Sequence, residues 1–251
     1  MLREDTVFGP IRSRRLGNSL GINLLPREGK LCNFDCIYCE CGWNADGRGD
    51  AALPSRDDVR MRLEAKLSAL LRESVPLDSI TFSGDGEPTL HPDFPGIIDD
   101  TLALRDRYCP ETAVSVLTNA TRIQTDTVFQ ALRKVDAPIL KLDAPTAELC
   151  ALINRPAAGY DPAAVVKAME RFEGNFILQT MFLRAPFFDS SEPGQLALWM
   201  GIVRKLRPRQ VMVYTLDRPA PLQGLRAFSA RELEILMQPL VDEGYNIQIR
   251  A

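Results

Sequence analysis

The sequence has little of what membrane proteins and nucleic-acid binders carry. Among its 251 residues the longest apolar runs fall far short of the roughly 20 residues that cross a bilayer, so we expect no membrane partner. The net charge is only -3, so the overall charge does not indicate nucleic acid as a partner. No apolar leader opens the chain, and we expect a cytoplasmic protein whose thiols stay reduced.

Histidine and sequence repeats are scarce as well. His91 is the one histidine, and its place in a loop favours a surface or capping role over that of a general base. The chain shows no internal repeat, low-complexity stretch or linker, so we expect a single domain over residues 1–251. An apolar fraction of 45% allows a sizeable core.

Cysteine, by contrast, is concentrated in one place. Three of the six cysteines, Cys32, Cys36 and Cys39, follow the spacing C-x3-C-x2-C. Three thiolates on one short loop can bind three irons of a [4Fe–4S] cube and leave the fourth iron open for chemistry. A redox dithiol at Cys36 and Cys39, or a structural zinc that also uses Cys41, are the alternatives. Zinc sites usually pair two separated knuckles, whereas these cysteines share one loop.

The alternation of strands and helices indicates the fold class. Apart from an irregular N-terminal extension (1–19) and a long loop expected to bind the cluster (26–50), apolar strands alternate with amphipathic helices. Such βα units predict a parallel sheet with helices outside it, and about six units are too few for a closed eight-fold barrel. Ser55 and Ser229 are expected helix N-caps. The expected strands are residues 20–25, 79–83, 113–117, 139–142, 176–183, 211–214 and 246–249.

Polar residues follow the ends of these strands, where the working residues of βα folds lie. In Ser83–Pro88 the glycines allow a close approach of the backbone to a ligand, and the glutamate can accept from an ammonium group. Lys141 and Asp143 share one strand face, either as a structural ion pair or facing a ligand. Gln179 is expected to point inward, to a core hydrogen bond or to a ligand. Thr118 and Asn119 follow the third strand.

Together these motifs resemble the radical S-adenosylmethionine (SAM) superfamily. The cysteine loop, with Tyr38 directly before its third cysteine, matches the signature of that superfamily. Ser83–Pro88 resembles its glycine-rich GGE motif, although Asp85 separates the two glycines. The resemblance covers nearly the whole chain and implies an α/β fold with a partial (β/α)6 barrel of the radical SAM type.

The resemblance also implies cofactors and roles. It implies a [4Fe–4S] cluster on Cys32, Cys36 and Cys39, with SAM chelated at the open iron. One electron from the cluster would split the sulfonium, and the 5′-deoxyadenosyl radical would abstract hydrogen from a substrate. A one-electron donor such as flavodoxin or ferredoxin is an expected partner, and Lys141 and Asp143 are the expected catalytic residues. The expected cofactor-binding residues are Tyr38, Ser83, Gly84, Asp85, Gly86, Glu87, Thr118, Asn119, Asp143 and Gln179.

Further segments are similar to the radical SAM group of the wyosine-base tRNA synthases. They include Phe8-Gly9-Pro10, Ser13-Arg14-Arg15-Leu16-Gly17, Ser19-Leu20-Gly21, Leu142-Asp143-Ala144, Ile153-Asn154-Arg155-Pro156 and Tyr214–Arg218. The members that condense pyruvate hold a second cluster on cysteines N-terminal to the first, and no cysteine precedes Cys32 here. We expect a small anionic molecule or a tRNA base as substrate, with Arg14 or Arg15 holding an anionic group. The alternatives are an activase that generates a glycyl radical on a partner protein and a zinc-stabilised binding module.

The cysteine spacing predicts the metal content. Protein prepared without oxygen should be brown and carry about four irons per chain, as one cysteine-bound cube requires. Plasma mass spectrometry of protein made under iron-replete, anaerobic conditions counts both iron and zinc. Stoichiometric zinc without iron would contradict the cube.

Overall fold

A computed structural model describes residues 5–13, 16–26, 29–46 and 52–251 of the chain. By its internal contacts the described chain divides into two compact units. The first unit comprises the described residues of Met1–Cys32, Asn44–Thr118 and Arg122–Pro138. The second unit comprises Asn33–Trp43, Asn119–Thr121 and Ile139–Ala251. The expectation of a single domain over residues 1–251 stays a prediction.

The first unit is built on parallel strands that alternate with helices. In chain order its elements are β1 (Val7–Ser13), β2 (Gly17–Ile22), α1 (Arg56–Arg72), β3 (Ser79–Phe82), α2 (Phe94–Tyr108), β4 (Ala113–Thr118) and α3 (Asp126–Lys134). β2, β3 and β4 pair in parallel in that order, with α1 and α2 in the connections. The Ser55 side chain accepts from the backbone N–H of Asp58 at 3.1 Å, which confirms Ser55 as the N-cap of α1.

The N-terminal segment is more regular than expected. β1 pairs antiparallel with β2, although the sequence predicts an irregular extension here. The pairing contains an irregularity at Gly9 and Pro10, and an outer strand tolerates proline because one of its sides needs no ladder hydrogen bonds. Gly9 and Pro10 interrupt the alternation of apolar and polar residues, so the sequence does not indicate a strand here. Arg12 is exposed on β1, whereas Arg14 and Arg15 lie outside the described residues.

The second unit contains four parallel strands and a small antiparallel sheet. Its elements are β5 (Ala137–Lys141), α4 (Ala147–Ile153), α5 (Pro162–Met169), β6 (Ile177–Met181), β7 (Leu183–Ala185), β8 (Phe188–Asp189), α6 (Pro193–Leu206), β9 (Gln210–Tyr214), β10 (Arg226–Ala227), α7 (Ala230–Asp242) and β11 (Ile247–Arg250). β5, β6, β9 and β11 pair in parallel in that order, and β7 pairs antiparallel with β8 and with β10. The expected strand over residues 176–183 is divided between β6 and β7. α4 has only seven residues, which are too few to show a helical stripe in the sequence.

The register of these strands places polar side chains on one face of the second unit. Successive partners across the sheet are Lys141, Gln179, Met212 and Gln248. Two residues further along β9 and β11, Tyr214 pairs with Arg250. Residues that pair across parallel strands point to the same face, as do residues two apart on one strand. We call the face that carries these residues the polar face of the second unit.

Helices cover the opposite face. Trp199 of α6 is buried, its Nε1 donates to Thr180 Oγ1 at 3.1 Å, and its ring packs edge-on against Phe182. Thr180 therefore points toward α6, and its neighbour Gln179 points to the polar face. A reciprocal capping box opens α7 and confirms Ser229 as its N-cap. Across the described part of the chain, no helix has the length and apolar character needed to span a membrane.

A core phenylalanine connects the first unit's sheet to the glycine motif that follows it. Phe82 ends β3, is 0% exposed, and packs edge-on against Phe94 with 6.2 Å between ring centroids. Phe82→Ala should lower the free energy of unfolding by about 3–5 kcal/mol, because the neighbours cannot fill the cavity it leaves. Urea denaturation followed by circular dichroism measures the loss. Leu71→Ala on α1, where the side chain is 58% exposed, is the control and should change stability by no more than about 0.5 kcal/mol. Equal losses in the two variants would contradict this account of the core.

Candidate active site

The glycine motif of the first unit holds the start of the cysteine loop. The N–H of Leu31 donates to the carbonyl of Asp85 at 2.9 Å, and the N–H of Glu87 donates to the carbonyl of Leu31 at 3.0 Å. Gly86 lies between them with a φ of 144°, and a Cβ there would lie 1.8 Å from the Leu31 carbonyl oxygen. Only glycine permits this approach. The motif thereby fixes the backbone directly before Cys32.

Both carboxylates of the motif are buried and hydrogen bonded within the first unit. Asp85 Oδ2 accepts from Asn23 Nδ2 at 2.9 Å. Glu87 Oε1 accepts from the N–H of Thr89 at 3.0 Å, from Thr89 Oγ1 at 2.6 Å and from Thr118 Oγ1 at 2.7 Å. These bonds give the two acids and Thr118 a structural part in the turn, which the sequence pattern did not show.

The start of the motif continues the pattern of β3. The N–H of Ser83 donates to the carbonyl of Ile22 at 3.2 Å. Gly84 lies so close to Asn23 that a Cβ would be 2.1 Å from its Oδ1. His91, at the end of the motif, is buried and contacts the carbonyl of Pro54 through Nε2, which agrees with a capping role and not with a surface position. The structure thus brings Ser83–Glu87 and Thr118 together, and their roles toward SAM stay predictions.

In the second unit, the segment Ile153–Ala157 runs antiparallel to the cysteine loop, and we call it the clamp segment. The N–H of Asp35 donates to the carbonyl of Asn154 at 2.9 Å, and the N–H of Ile37 donates to the carbonyl of Ile153 at 3.0 Å. These backbone bonds resemble a short strand pairing and hold the loop around Cys36.

The clamp segment contains a residue in an uncommon conformation. Arg155 has a φ of 45°, in the left-handed region that few side chains adopt. Its guanidinium lies 4.7 Å from the ring centroid of Trp43, just beyond the third cysteine of the motif. The clamp segment therefore contacts the cysteine loop at a side chain as well as along the backbone.

Asn154 connects three groups of the second unit. Its Nδ2 lies 2.6 Å from Asp143 Oδ2, 3.1 Å from Tyr38 OH and 3.4 Å from Cys36 Sγ. An amide nitrogen carries two hydrogens, so one of them is shared between two acceptors. Tyr38 also donates its hydroxyl to Asp143 Oδ2. Burial, together with the nearby Asp143, raises the pKa of Tyr38, so it remains a neutral donor, and burial likewise raises the pKa of the Cys36 thiol.

Lys141 places a positive charge beside this network. Its Nζ donates to Tyr214 OH at 2.7 Å and lies 3.4 Å from Asp143 Oδ2. It also lies 5.0 Å and 5.3 Å from the ring centroids of Tyr38 and Tyr214. Burial lowers the pKa of Lys141, but Asp143 and Tyr214 raise it by more, so its net pKa lies above the ordinary value and the group stays an ammonium. The Lys141 side chain is 15% exposed, so it is mostly but not completely buried.

The other two predicted residues of the second unit also have partners. Asn119 Nδ2 donates to Asn33 Oδ1 at 2.6 Å, which attaches residues 119–121 to the cysteine loop. Gln179 is 5% exposed and donates from Nε2 to Met212 Sδ at 3.4 Å. This is the core hydrogen bond to a neighbouring strand that the sequence offered as one interpretation.

Two atoms on the polar face are buried without a hydrogen-bond partner within the described residues. They are Oε1 of Gln248 and Nε of Arg250. A buried polar atom is costly unless it is paired, so such atoms are commonly satisfied by water or a ligand. One is an acceptor and the other a donor on a cationic group. Arg250 Nε can therefore donate to an anionic group, whereas Gln248 Oε1 requires a hydrogen-bond donor.

A family model matches most of the chain. Residues 29–183 match the model of the Radical SAM superfamily, a range that contains the cysteine loop, the glycine motif and the clamp segment. The chain belongs to the radical SAM superfamily. Membership of this superfamily implies a [4Fe–4S] cluster and SAM as cofactors, which confirms the two predicted from the resemblance.

Relatives of known sequence include proteins named only by family. UPF0026 protein slr1464 from Synechocystis sp. is 31% identical over 236 residues, which cover 91% of this chain and 79% of that protein. A protein named GTPase Obg from Brachyspira hyodysenteriae is 32% identical over 238 residues, which cover 93% of this chain. The chain spans 33% of the length of that second relative.

Solved structures of radical SAM proteins share the fold. A radical SAM methyltransferase from Sphaerobacter thermophilus superimposes with a TM-score of 0.69 at 14% identity, over 92% of this chain and 65% of that chain. SuiB from Streptococcus suis, bound to S-adenosylmethionine, superimposes with a TM-score of 0.65 at 16% identity, over 93% of this chain and 52% of that chain. These likenesses confirm the predicted α/β fold with the partial barrel of radical SAM proteins.

The residues present fit the cluster that the radical SAM superfamily implies. Cys36 is a buried thiol whose sulfur already accepts an amide N–H, the kind of contact that cluster sulfurs receive. In the described part of the chain, no three His, Cys, Asp or Glu side chains are grouped closely enough to hold one metal ion. A cube takes one thiolate per iron, so it does not require such a group.

Two residues of the site were not predicted. Tyr214 ends β9 and accepts from Lys141, and Asn154 links Cys36 to Asp143. Both lie in segments that resemble the family, so the sequence marked these segments but did not indicate what the two side chains do. The position of Tyr214 at the end of a strand was a further indication.

Gly86 provides a test of the bridge to the cysteine loop. Gly86→Ala should break the two hydrogen bonds of Leu31, because its Cβ would overlap the Leu31 carbonyl, and iron content should fall at least by half. The free energy of unfolding should fall by about 2 kcal/mol or more. Iron analysis and urea denaturation measure the two effects.

The control for this prediction is Gly159→Ala. Gly159 also has a positive φ, of 84°, but nothing lies within 4 Å of its would-be Cβ. It should cost about 1–2 kcal/mol of backbone strain and leave the iron content unchanged. Equal loss of iron in both variants would show that strain, and not the contact with Leu31, is responsible.

The ion pair of Lys141 and Asp143 can be tested by a double-mutant cycle. Lys141→Met leaves a buried carboxylate without its cation and should lower the free energy of unfolding by about 3–5 kcal/mol. Adding Asp143→Asn to that variant should recover part of the loss, because the unpaired charge is removed. Chemical denaturation of the wild type, both single variants and the double variant gives the coupling energy. Strictly additive losses would mean that the pair does not interact.

Proposed function

We propose that this chain is a radical SAM enzyme that cleaves SAM reductively at a [4Fe–4S] cluster held by Cys32, Cys36 and Cys39, and that it abstracts hydrogen from an anionic substrate. The supporting observation is the superfamily match over residues 29–183, with Cys36 set in a buried polar network. When bound, the cluster and SAM supply one-electron cleavage of a sulfonium and a radical able to abstract hydrogen. The protein's own residues position these groups and exclude water.

The first task of the chain is to fix the cysteine loop. Gly86 holds the residue before Cys32, and the clamp segment holds the backbone around Cys36. A loop fixed in this way loses little entropy when it receives a cluster, which favours binding. The proposed SAM-binding residues are Ser83–Glu87 and Thr118 of the first unit and Asn119 and Gln179 of the second, and the hydrogen bonds within each unit hold their side chains in place.

Lys141 and Asp143 are proposed to meet the reacting molecules. Because the pKa of Lys141 is raised, the residue stays an ammonium and acts as a fixed positive charge, not as a nucleophile. Tyr214 and Asp143 orient it through bonds of 2.7 Å and 3.4 Å. A buried ammonium of this kind attracts a carboxylate or phosphate strongly, because little water screens it.

The substrate is proposed to be anionic, as the sequence predicts. Arg14 and Arg15, the residues expected to hold it, lie outside the described residues. Arg250 supports the same proposal, since its buried, cationic Nε lies on the face that carries Lys141. A small anionic molecule and a nucleotide base of tRNA both carry such a group, and kinship with the wyosine-base synthases stays a prediction. A one-electron donor is required by this chemistry, and flavodoxin or ferredoxin is proposed for that part.

The proposal predicts SAM cleavage without added substrate. Anaerobic protein with dithionite and SAM should release 5′-deoxyadenosine, detected by liquid chromatography and mass spectrometry. Cys36→Ala should reduce the release at least a hundredfold, because a ligand of the cube is lost. Cys41→Ala is the matched control and should keep it within about twofold, because a fourth thiolate would occupy the iron that SAM needs. Absence of 5′-deoxyadenosine from iron-loaded wild type, or equal loss in both variants, would refute the proposed function.

A further inference from the structure

We infer that Asn154 of the clamp segment is a positioning residue that sets how readily the cluster accepts an electron, through its hydrogen bond to the sulfur of Cys36. The inference rests on the proposed function, because it requires Cys36 to be a cluster ligand. Asn154 is 1% exposed, and its Nδ2 lies 3.4 Å from Cys36 Sγ. The sequence predicted no role for Asn154.

The surrounding acceptors determine which end of the amide faces the sulfur. The Asp143 carboxylate lies 2.6 Å from Nδ2 and can only accept, so the nitrogen and not the oxygen of the amide must lie on this side. Tyr38 donates its own hydroxyl hydrogen to Asp143, so its oxygen also accepts from Asn154. Both contacts place the amide nitrogen, and not the amide oxygen, on the side of Cys36, so its sulfur shares one of the two amide hydrogens.

The backbone holds Asn154 in place independently of its side chain. Its carbonyl accepts from the N–H of Asp35 at 2.9 Å, and its own N–H donates to the carbonyl of Cys150 at 2.8 Å. The side chain is therefore presented to Cys36 on a fixed scaffold. A change of side chain leaves these backbone bonds available.

The direction of the effect follows from charge. Reduction adds one negative charge to a cluster, and that charge is partly carried by the cysteine sulfurs. An N–H donor stabilises the more negative state more strongly, and hydrogen bonds to the sulfurs are one of the means by which proteins set cluster potentials. Asn154 therefore favours the reduced cluster, which is the state that cleaves SAM in the proposed function.

The test compares the reduction potential of variants with an intact cluster. Asn154→Leu keeps the approximate size of the side chain and removes its donor. We expect the equilibrium constant for one-electron reduction to fall about tenfold, which is a midpoint about 59 mV more negative. A dithionite titration monitored by electron paramagnetic resonance measures it, without substrate and without turnover.

The control is Thr121→Val. Thr121 Oγ1 accepts from Asn33 Nδ2 of the same loop at 2.6 Å and donates to Asn119 Oδ1 at 2.8 Å, so this variant removes two side-chain hydrogen bonds, neither of which involves a sulfur. Its midpoint should match that of the wild type. A shift equal to that of Asn154→Leu would show that any loosening of the loop moves the potential, and would overturn the inference.

The other outcomes are equally decisive. A wild-type midpoint in cluster-loaded Asn154→Leu overturns the inference. If that variant loses its iron, Asn154→Ala serves in its place, since it also lacks the donor and should shift the midpoint in the same direction. Loss of the cluster from both variants would assign Asn154 a purely structural role and overturn the inference too. Wild type that binds no cube would instead refute the proposed function.

Discussion

One buried carboxylate connects the parts of the second unit that the proposed chemistry needs. Asp143 accepts from Tyr38 and Asn154 through Oδ2, accepts from the N–H of Met181 at 2.9 Å through Oδ1, and lies beside the ammonium of Lys141. A carboxylate of this burial is tolerated only when its oxygens are fully engaged. The contacts of this one carboxylate therefore hold the cysteine loop, the clamp segment and two strands in position relative to one another.

In the first unit, backbone groups and glycine hold the start of the cysteine loop in place. The glycine motif of this unit is one of the segments that resemble the superfamily. The contacts that the structure shows for it are within the protein, between Gly86 and Leu31 and between Glu87 and two threonines. A turn that is already satisfied internally is rigid, and a rigid turn presents its groups to a ligand with little loss of entropy. Structural and ligand-binding roles of such a motif therefore reinforce each other.

Much of this arrangement was predictable, because local rules act on short stretches. Ser55 and Ser229 were identifiable as caps, and the polar residues at strand ends were identifiable by position. The sequence did not predict β1, because Gly9 and Pro10 interrupt its alternation of apolar and polar residues. The role of Asn154 was not predicted for a different reason. Its importance arises from a contact with a residue 118 positions away, and no local pattern marks which distant side chain an amide will meet.

The irregular outer strand has a consequence for how the protein behaves at high concentration. An outer strand that is flat and regular offers a row of unpaired N–H and C=O groups to another copy, which leads to aggregation. β1 interrupts that row with a proline, which has no N–H, and with a distortion of the ladder at the same point. This edge of the first unit is therefore a poor template for pairing with the edge strand of another copy.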